Sequence, residues 1–100
     1  DQTARTILQT VSGLNGKFGR SMVAALLTGG KSERLLEFHL NHNPHYGALH
    51  LHTQKRVMEW IDELIDRGLL RLTAEEYPRL TLTADGKRAM AESSRIALSG

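Results

Sequence analysis

Apolar and polar positions change period several times along this 100-residue chain, and each change marks an element. Between Asp1 and Leu14, Ala4, Ile7, Leu8, Val11 and Leu14 recur at the spacing of one helix face; Gly13 lies near the end, and Asn15-Gly16 breaks the pattern. Phe18, Met22, Val23, Leu26 and Leu27 form a second stripe, with Ser21 near the helix start and Thr28-Gly29-Gly30 as its stop. Ser32 opens a third helix with Lys31 just outside it, and Leu35, Leu36, Phe38 and Leu40 are its apolar side. From Asn41 the periodicity is lost, because Pro44 and Gly47 exclude a regular element; a loop is expected, with Ala48 to Leu51 as a very short strand.

Thr53 caps the next predicted helix, where Val57, Ile61, Leu64 and Ile65 share one face and Trp60 widens it. Arg67 gives it a cationic last turn, and Gly68 is free to take the left-handed conformation that ends helices. The period then becomes two. Leu70 and Leu72 alternate with Arg71, and Leu80 and Leu82 with Thr81, so two short strands each have one apolar face. The stretch between them is polar except for Tyr77, which stands beside Pro78 and Arg79 at the turn. Thr83-Ala84-Asp85-Gly86 begins a last helix with Ala89, Met90 and Ile96 facing inward. Three helices, a loop, a helix, a hairpin over about 69–83 and a final helix make a mostly α fold with a small β-hairpin. The expectation is a single winged-helix domain over residues 1–100, with no repeats or linkers.

Composition narrows the partner more than the fold. An apolar share of 40% and a charged share of 24% suit one folded domain with a modest core. No apolar run is long enough to span a membrane. The absence of cysteine excludes disulfides and thiolate metal sites and fits a reducing intracellular compartment. The formal charge is +2; residues 1–50 hold five Lys/Arg against three Asp/Glu, and residues 51–100 hold eight of each, so the surplus lies in the front half. Such a balance permits a polyanionic partner without demanding one.

Four stretches carry candidate chemistry. Gly29-Gly30-Lys31-Ser32-Glu33-Arg34 leads a turn into a helix start, where unpaired N–H groups suit a phosphate flanked by Lys31 and Arg34; Ser32 and Glu33 serve equally well as plain caps. It lacks the spacing of a P-loop. His39, His42 and His45 are spaced by three, but Pro44 interrupts any helix and no fourth ligand is placed, so no metal is expected. No serine has a nucleophile motif, and Glu75 and Glu76 stand at a solvated turn, so no catalytic site is predicted. Tyr77 is either a local packing residue or, held out by Pro78, a plate for stacking on a base.

Five stretches in order resemble the RQC domain of RecQ-family DNA helicases. They are Leu14-Asn15-Gly16-Lys17-Phe18-Gly19, Leu27 to Leu35 (LTGGKSERL), His45-Tyr46-Gly47, Leu64 to Leu69 (LIDRGL) and Leu82 to Gly86 (LTADG). The resemblance runs from about Thr6 to Met90. It implies a module cut from a longer ATP-dependent 3′–5′ helicase. ATP and Mg2+ would act in that protein's motor lobes, and zinc in a preceding subdomain. It implies a monomer in a bacterial cytoplasm or nucleoid, with DNA ends, forks, junctions or G-quadruplexes as partners. The wing would separate strands through Tyr77, Pro78 and Arg79. Gly30, Lys31, Ser32 and Arg34 would grip phosphate, joined by Thr53, Gln54 and Lys55 at the start of the next helix. Thr28 stands where some members carry an arginine.

Two other functions compete. A sequence-specific winged-helix transcription regulator would lay the helix after Thr53 in the major groove, but that helix exposes Glu59, Asp62, Glu63 and Asp66 among its basic residues, and these face phosphates badly. A winged helix that binds only protein would fit the small net charge.

Overall fold

A computed structural model describes residues 2–91 and Leu98; Ile96, expected to face inward, lies outside the described residues. The described residues form five α-helices and one two-stranded sheet: α1 (Gln2–Leu14), α2 (Arg20–Leu27), α3 (Glu33–Glu37), α4 (Gln54–Asp66), β1 (Leu70–Leu72), β2 (Leu80–Leu82) and α5 (Ala84–Ala91). The mostly helical fold with a single hairpin is the winged-helix arrangement expected from the periodicity.

Helices α2 and α4 pack on each other, and α1 closes the core against β2 and α5. Ile7, Leu8, Val11, Leu26, Leu27, Leu35, Val57, Ile61 and Leu64 are fully buried between them. At roughly 1.5–3 kcal/mol for each large side chain removed from water, this cluster outweighs every surface ion pair in the molecule. Leu70 and Leu80 close it from the sheet.

The helix ends follow from single residues. Gly29, at φ +79°, ends α2, with Gly29 N–H on Leu26 O (3.2 Å) and Gly30 N–H on Ala25 O (2.7 Å). Gly68, at φ +77°, ends α4 by the same Schellman pattern, through Ile65 O (2.9 Å) and Leu64 O (3.0 Å). Ser32 caps α3 through Leu35 N–H, and Thr53 caps α4 through Arg56 N–H.

Three expectations are corrected. Ala48 to Leu51 is a run of turns, not a strand. Its register comes from packing: Leu49 is buried, and Gly47 and Leu49 donate to Leu26 O and Leu27 O at the end of α2. Helix α3 is only five residues long with Leu35 its one buried residue; Leu36 stands about 100° round the helix from it, and Phe38 is the C-cap. Leu36 is 42% and Phe38 49% exposed. Phe18 precedes α2 rather than belonging to it, because Gly19 is the N-cap.

The hairpin is antiparallel, with Leu70 opposite Leu82, Arg71 opposite Thr81 and Leu72 opposite Leu80. Thr73 extends it by one step, donating its N–H to Arg79 O (2.9 Å) and accepting Arg79 N–H on its hydroxyl (2.9 Å). The wing is then tied to the α1–α2 loop by Leu80 N–H donating to Phe18 O (2.8 Å). Two glycines of that loop permit the approach. A Cβ at Gly16 would lie 2.9 Å from Thr81 Cγ2, and one at Gly19 would lie 3.0 Å from Pro78 O.

Candidate nucleic-acid interface

That docking of wing on loop leaves a groove. It encloses about 870 Å³ and is walled on one side by Leu72, Glu75, Tyr77, Pro78 and Arg79 of the wing. The other side is Lys17, Phe18 and the first turn of α2, with Arg34 of α3 completing the lining. The groove therefore brings together the three wing-tip candidates and Arg34, residues more than 40 positions apart in the chain. Tyr77 is 81% exposed. Most of its surface is therefore open to an incoming partner.

The cations of the groove are not equivalent. Arg20 is held by Asp62 of α4 at 2.9 and 3.0 Å. Arg79 is held by Glu75 in a two-pronged contact, Nη2 to Oε1 at 2.7 Å and Nε to Oε2 at 3.0 Å. This fork is the geometry with which an arginine grips phosphate, so Glu75 already fills one edge of the Arg79 guanidinium that a phosphate would otherwise take. The hydrogen bond and charge of Arg79 hold the Glu75 carboxyl below its usual range, and Glu75 raises the arginine in turn. A depressed carboxyl stays ionised above its ordinary pKa and is lost to the pair only as pH falls through the depressed value, so the pair is complete at neutral pH. The acidic tip is thus partly neutralised by its own arginine. Among the described residues Lys17, Lys31 and Arg34 make no ion pair. Arg34 instead lies 5.9 Å from the centre of the Phe38 ring.

The other expected phosphate residues fall outside the groove lining. Gly30 donates its N–H to Ala25 O (2.7 Å), and that donor is spent on ending α2. A Cβ at Gly30 would lie 3.1 Å from the same oxygen, so the glycine serves the turn. Tyr46 holds the turn from the far side, its hydroxyl placed 3.0 Å from Gly29 O and 2.8 Å from Gly30 O. The Ser32 hydroxyl is occupied in capping α3, and a five-residue helix has little dipole to offer. Lys31 is exposed at this turn. Thr53 is likewise occupied as a cap, while Lys55 is exposed. Gln54 Nε2 reaches Ser21 O at 3.5 Å, which sets the start of α4 beside the α2 edge of the groove.

Sequence reading passed over Lys17, Phe18 and Met22 as site residues. Only the alternation of basic and aromatic residues in Lys17-Phe18-Gly19-Arg20 could have signalled them. A smaller hollow of about 460 Å³ adjoins the groove and shares Lys17, Phe18 and Arg34 with it, adding Leu14, Phe38 and Leu40. Among the described residues no three His, Asp or Glu side chains come together in a way that could hold a metal ion, and no helix is long and apolar enough to cross a membrane.

Comparison with known proteins adds two findings. The family model for the RQC domain matches residues 1–99. The chain is 25% identical over 87 residues to the ATP-dependent DNA helicase RecQ of Bacillus subtilis (strain 168), covering 87% of this chain and about 15% of the length of that protein.

Proposed function

The chain belongs to the RQC domain family, and from that premise we propose that it is a DNA-binding accessory module of a RecQ-type helicase that grips duplex ends and forks and prises the terminal pair with its wing. The observation that carries this reading is the groove in which exposed Tyr77 meets Arg34 and Lys17, neither of which makes an ion pair among the described residues. A stacking plate beside cations is what a frayed end requires: a π-face for the terminal base and positive charge for its backbone. On this reading ATP, its Mg2+ and any zinc belong to other parts of a longer protein, and the module acts as a monomer where the chromosome lies. Junctions and G-quadruplexes present comparable ends.

The face of α4 argues against major-groove reading. Arg56 pairs with Glu59 at 3.0 Å and Arg67 with Glu63 at 2.7 Å, while Asp62 holds Arg20 of α2 at 2.9 Å, so among the described residues Lys55 is the one cation of this face without an ion pair and the acids dominate it.

The test is titration of the fragment against a blunt duplex with a fluorescent base analogue in its terminal pair, beside a circular duplex of equal length. Tighter binding to the blunt duplex with unstacking of the analogue is expected. Equal affinity and no fluorescence change would leave a generic or sequence-reading binder.

Two substitutions refine it. Arg34→Ala should weaken binding to all DNA ends and flatten the dependence of log K on log salt by about 0.9, the contribution of one phosphate contact. An unchanged slope removes Arg34 from the phosphate path. Glu75→Gln should act in the opposite sense, releasing Arg79 from its fork. Affinity for ends is expected to rise and the slope to steepen by about 0.9. If neither moves, Arg79 does not meet phosphate.

A further inference from the structure

The smaller hollow shares Lys17, Phe18 and Arg34 with the groove, and it is walled by an aromatic that the core leaves half exposed. Phe38 meets Phe18 edge-on, with ring centres 5.3 Å apart and planes at 70°, which fixes its orientation. Its other neighbour is the Arg34 guanidinium. Lys17, Phe18 and Arg34 line both cavities and therefore form the ridge between them. The two adjoining hollows are thus lined by an exposed tyrosine in the first, a half-exposed phenylalanine in the second, and in both by two cations without ion pairs among the described residues. Aromatic plates separated by basic side chains are the pattern by which a single strand is held without regard to sequence: bases stack and phosphates lie on the cations between them.

We propose that this path carries the first few unpaired nucleotides of a strand leaving a DNA end, one base entering the groove beside Tyr77, the backbone crossing Lys17 and Arg34, and a following base lying on Phe38. Leu72 and Met22 give the first cavity its apolar lining. The one acidic residue there, Glu75, is matched by Arg79. The proposal takes its starting point from end gripping, but it predicts a separate quantity: the gain in affinity when a single-stranded overhang is added to a blunt end.

The experiment titrates the fragment against blunt duplex and duplexes with overhangs of increasing length, in separate 3′ and 5′ series. In one series affinity should rise about tenfold over the first two or three nucleotides and then level, as a single base–aromatic stack would give. Phe38→Ala should remove most of that gain, read as the ratio of overhang to blunt-end affinity because the ring also lies against Arg34, and Phe38→Trp should restore it. A thermal melt of each variant distinguishes lost stacking from lost folding. An overhang gain that is absent in both series, or that survives in a folded Phe38→Ala, overturns the path. Loss of blunt-end preference in the wild-type fragment would instead count against end gripping itself.

Discussion

Gly86→Ala is expected to destabilise the fold by about 3 kcal/mol, the upper part of the range for overpacking a well-filled site. Gly86 is the buried residue of α5, and its missing side chain is where α5 meets Leu69, just before β1, and Leu82 of β2. A Cβ there would collide with the carbonyl oxygen of Leu69 and lie 2.8 Å from Leu82 Cδ1. The leucine side chain can rotate away, but the carbonyl cannot, because Leu69 O accepts Thr83 N–H (3.2 Å). Thr83 is fixed in turn: its hydroxyl donates to Gly68 O (2.7 Å) and accepts Gly86 N–H (2.9 Å), which starts α5. Relief therefore means moving the helix off the wing. The helix propensity of alanine returns up to about 1 kcal/mol, less than the clash removes. For a domain of this size, about 3 kcal/mol corresponds to a fall in Tm of roughly 12–24 °C, readable in a thermal melt. Gly13→Ala is the control, since a Cβ there meets nothing within 4 Å and should be neutral or stabilising. A Gly86→Ala protein that melts with the wild type would contradict the packing of α5 against Leu69.

How much of this was legible in the residue order depends on the range of the forces involved. Helix ends were readable because each rests on one residue and its near neighbours: Gly29 and Gly68 at positive φ, Ser32 and Thr53 as caps. The hairpin was readable because a period of two is imposed by the pleat and its turn is polar. Buried and exposed positions were misjudged at α3. Leu36 lies within α3 but about 100° round the helix from buried Leu35, and Phe38 follows the end of the helix at Glu37. The Ala48–Leu51 stretch was misread because its order comes from hydrogen bonds to α2, some 20 residues earlier, rather than from a strand partner.

The candidate site divides in the same way. Tyr77 and Arg34 were singled out separately, one as an aromatic at a turn and the other as a cation near a helix start. Nothing local says that they share a groove; that follows from Leu80 bonding to Phe18 and from Gly16 and Gly19 admitting the wing. A phosphate contact at Gly30 was implied by the resemblance, which reads residues in order and not the bonds their backbone makes. Here the Gly30 N–H closes the preceding helix instead. The pairing of Glu75 with Arg79, four residues apart across a turn, matches one of the two acids of the tip, Glu76 making no ion pair among the described residues.

Tyr77→Ala is expected to leave the melting temperature within a few degrees of wild type and to lower the affinity for blunt ends about tenfold or more. Tyr77 is exposed, and a surface substitution away from caps and buried polar groups usually changes stability by no more than about 0.5 kcal/mol. Loss of a base–aromatic stack, by contrast, costs about 1–3 kcal/mol. Opening a terminal base-pair step requires on average about 1.4 kcal/mol, so one tyrosine offsets the melting of one pair and not of a second. The expected signature is therefore narrow. The analogue in the terminal pair should lose its unstacking signal in Tyr77→Ala, an analogue three pairs inward should report nothing in either protein, and the circular duplex should bind both alike. Tyr77→Phe keeps the π-face and should behave as wild type; a loss equal to that of alanine would shift the role to the hydroxyl. If Tyr77→Ala fails to fold, the residue belongs to the packing of the wing, and strand separation loses the group on which it depends. If it folds and still unstacks the terminal base, the wedge lies elsewhere on the groove, with Pro78 and the Phe18 ring the next side chains to remove. Continuous unwinding would in every case need a motor, because a single stack is exhausted by the first pair it replaces.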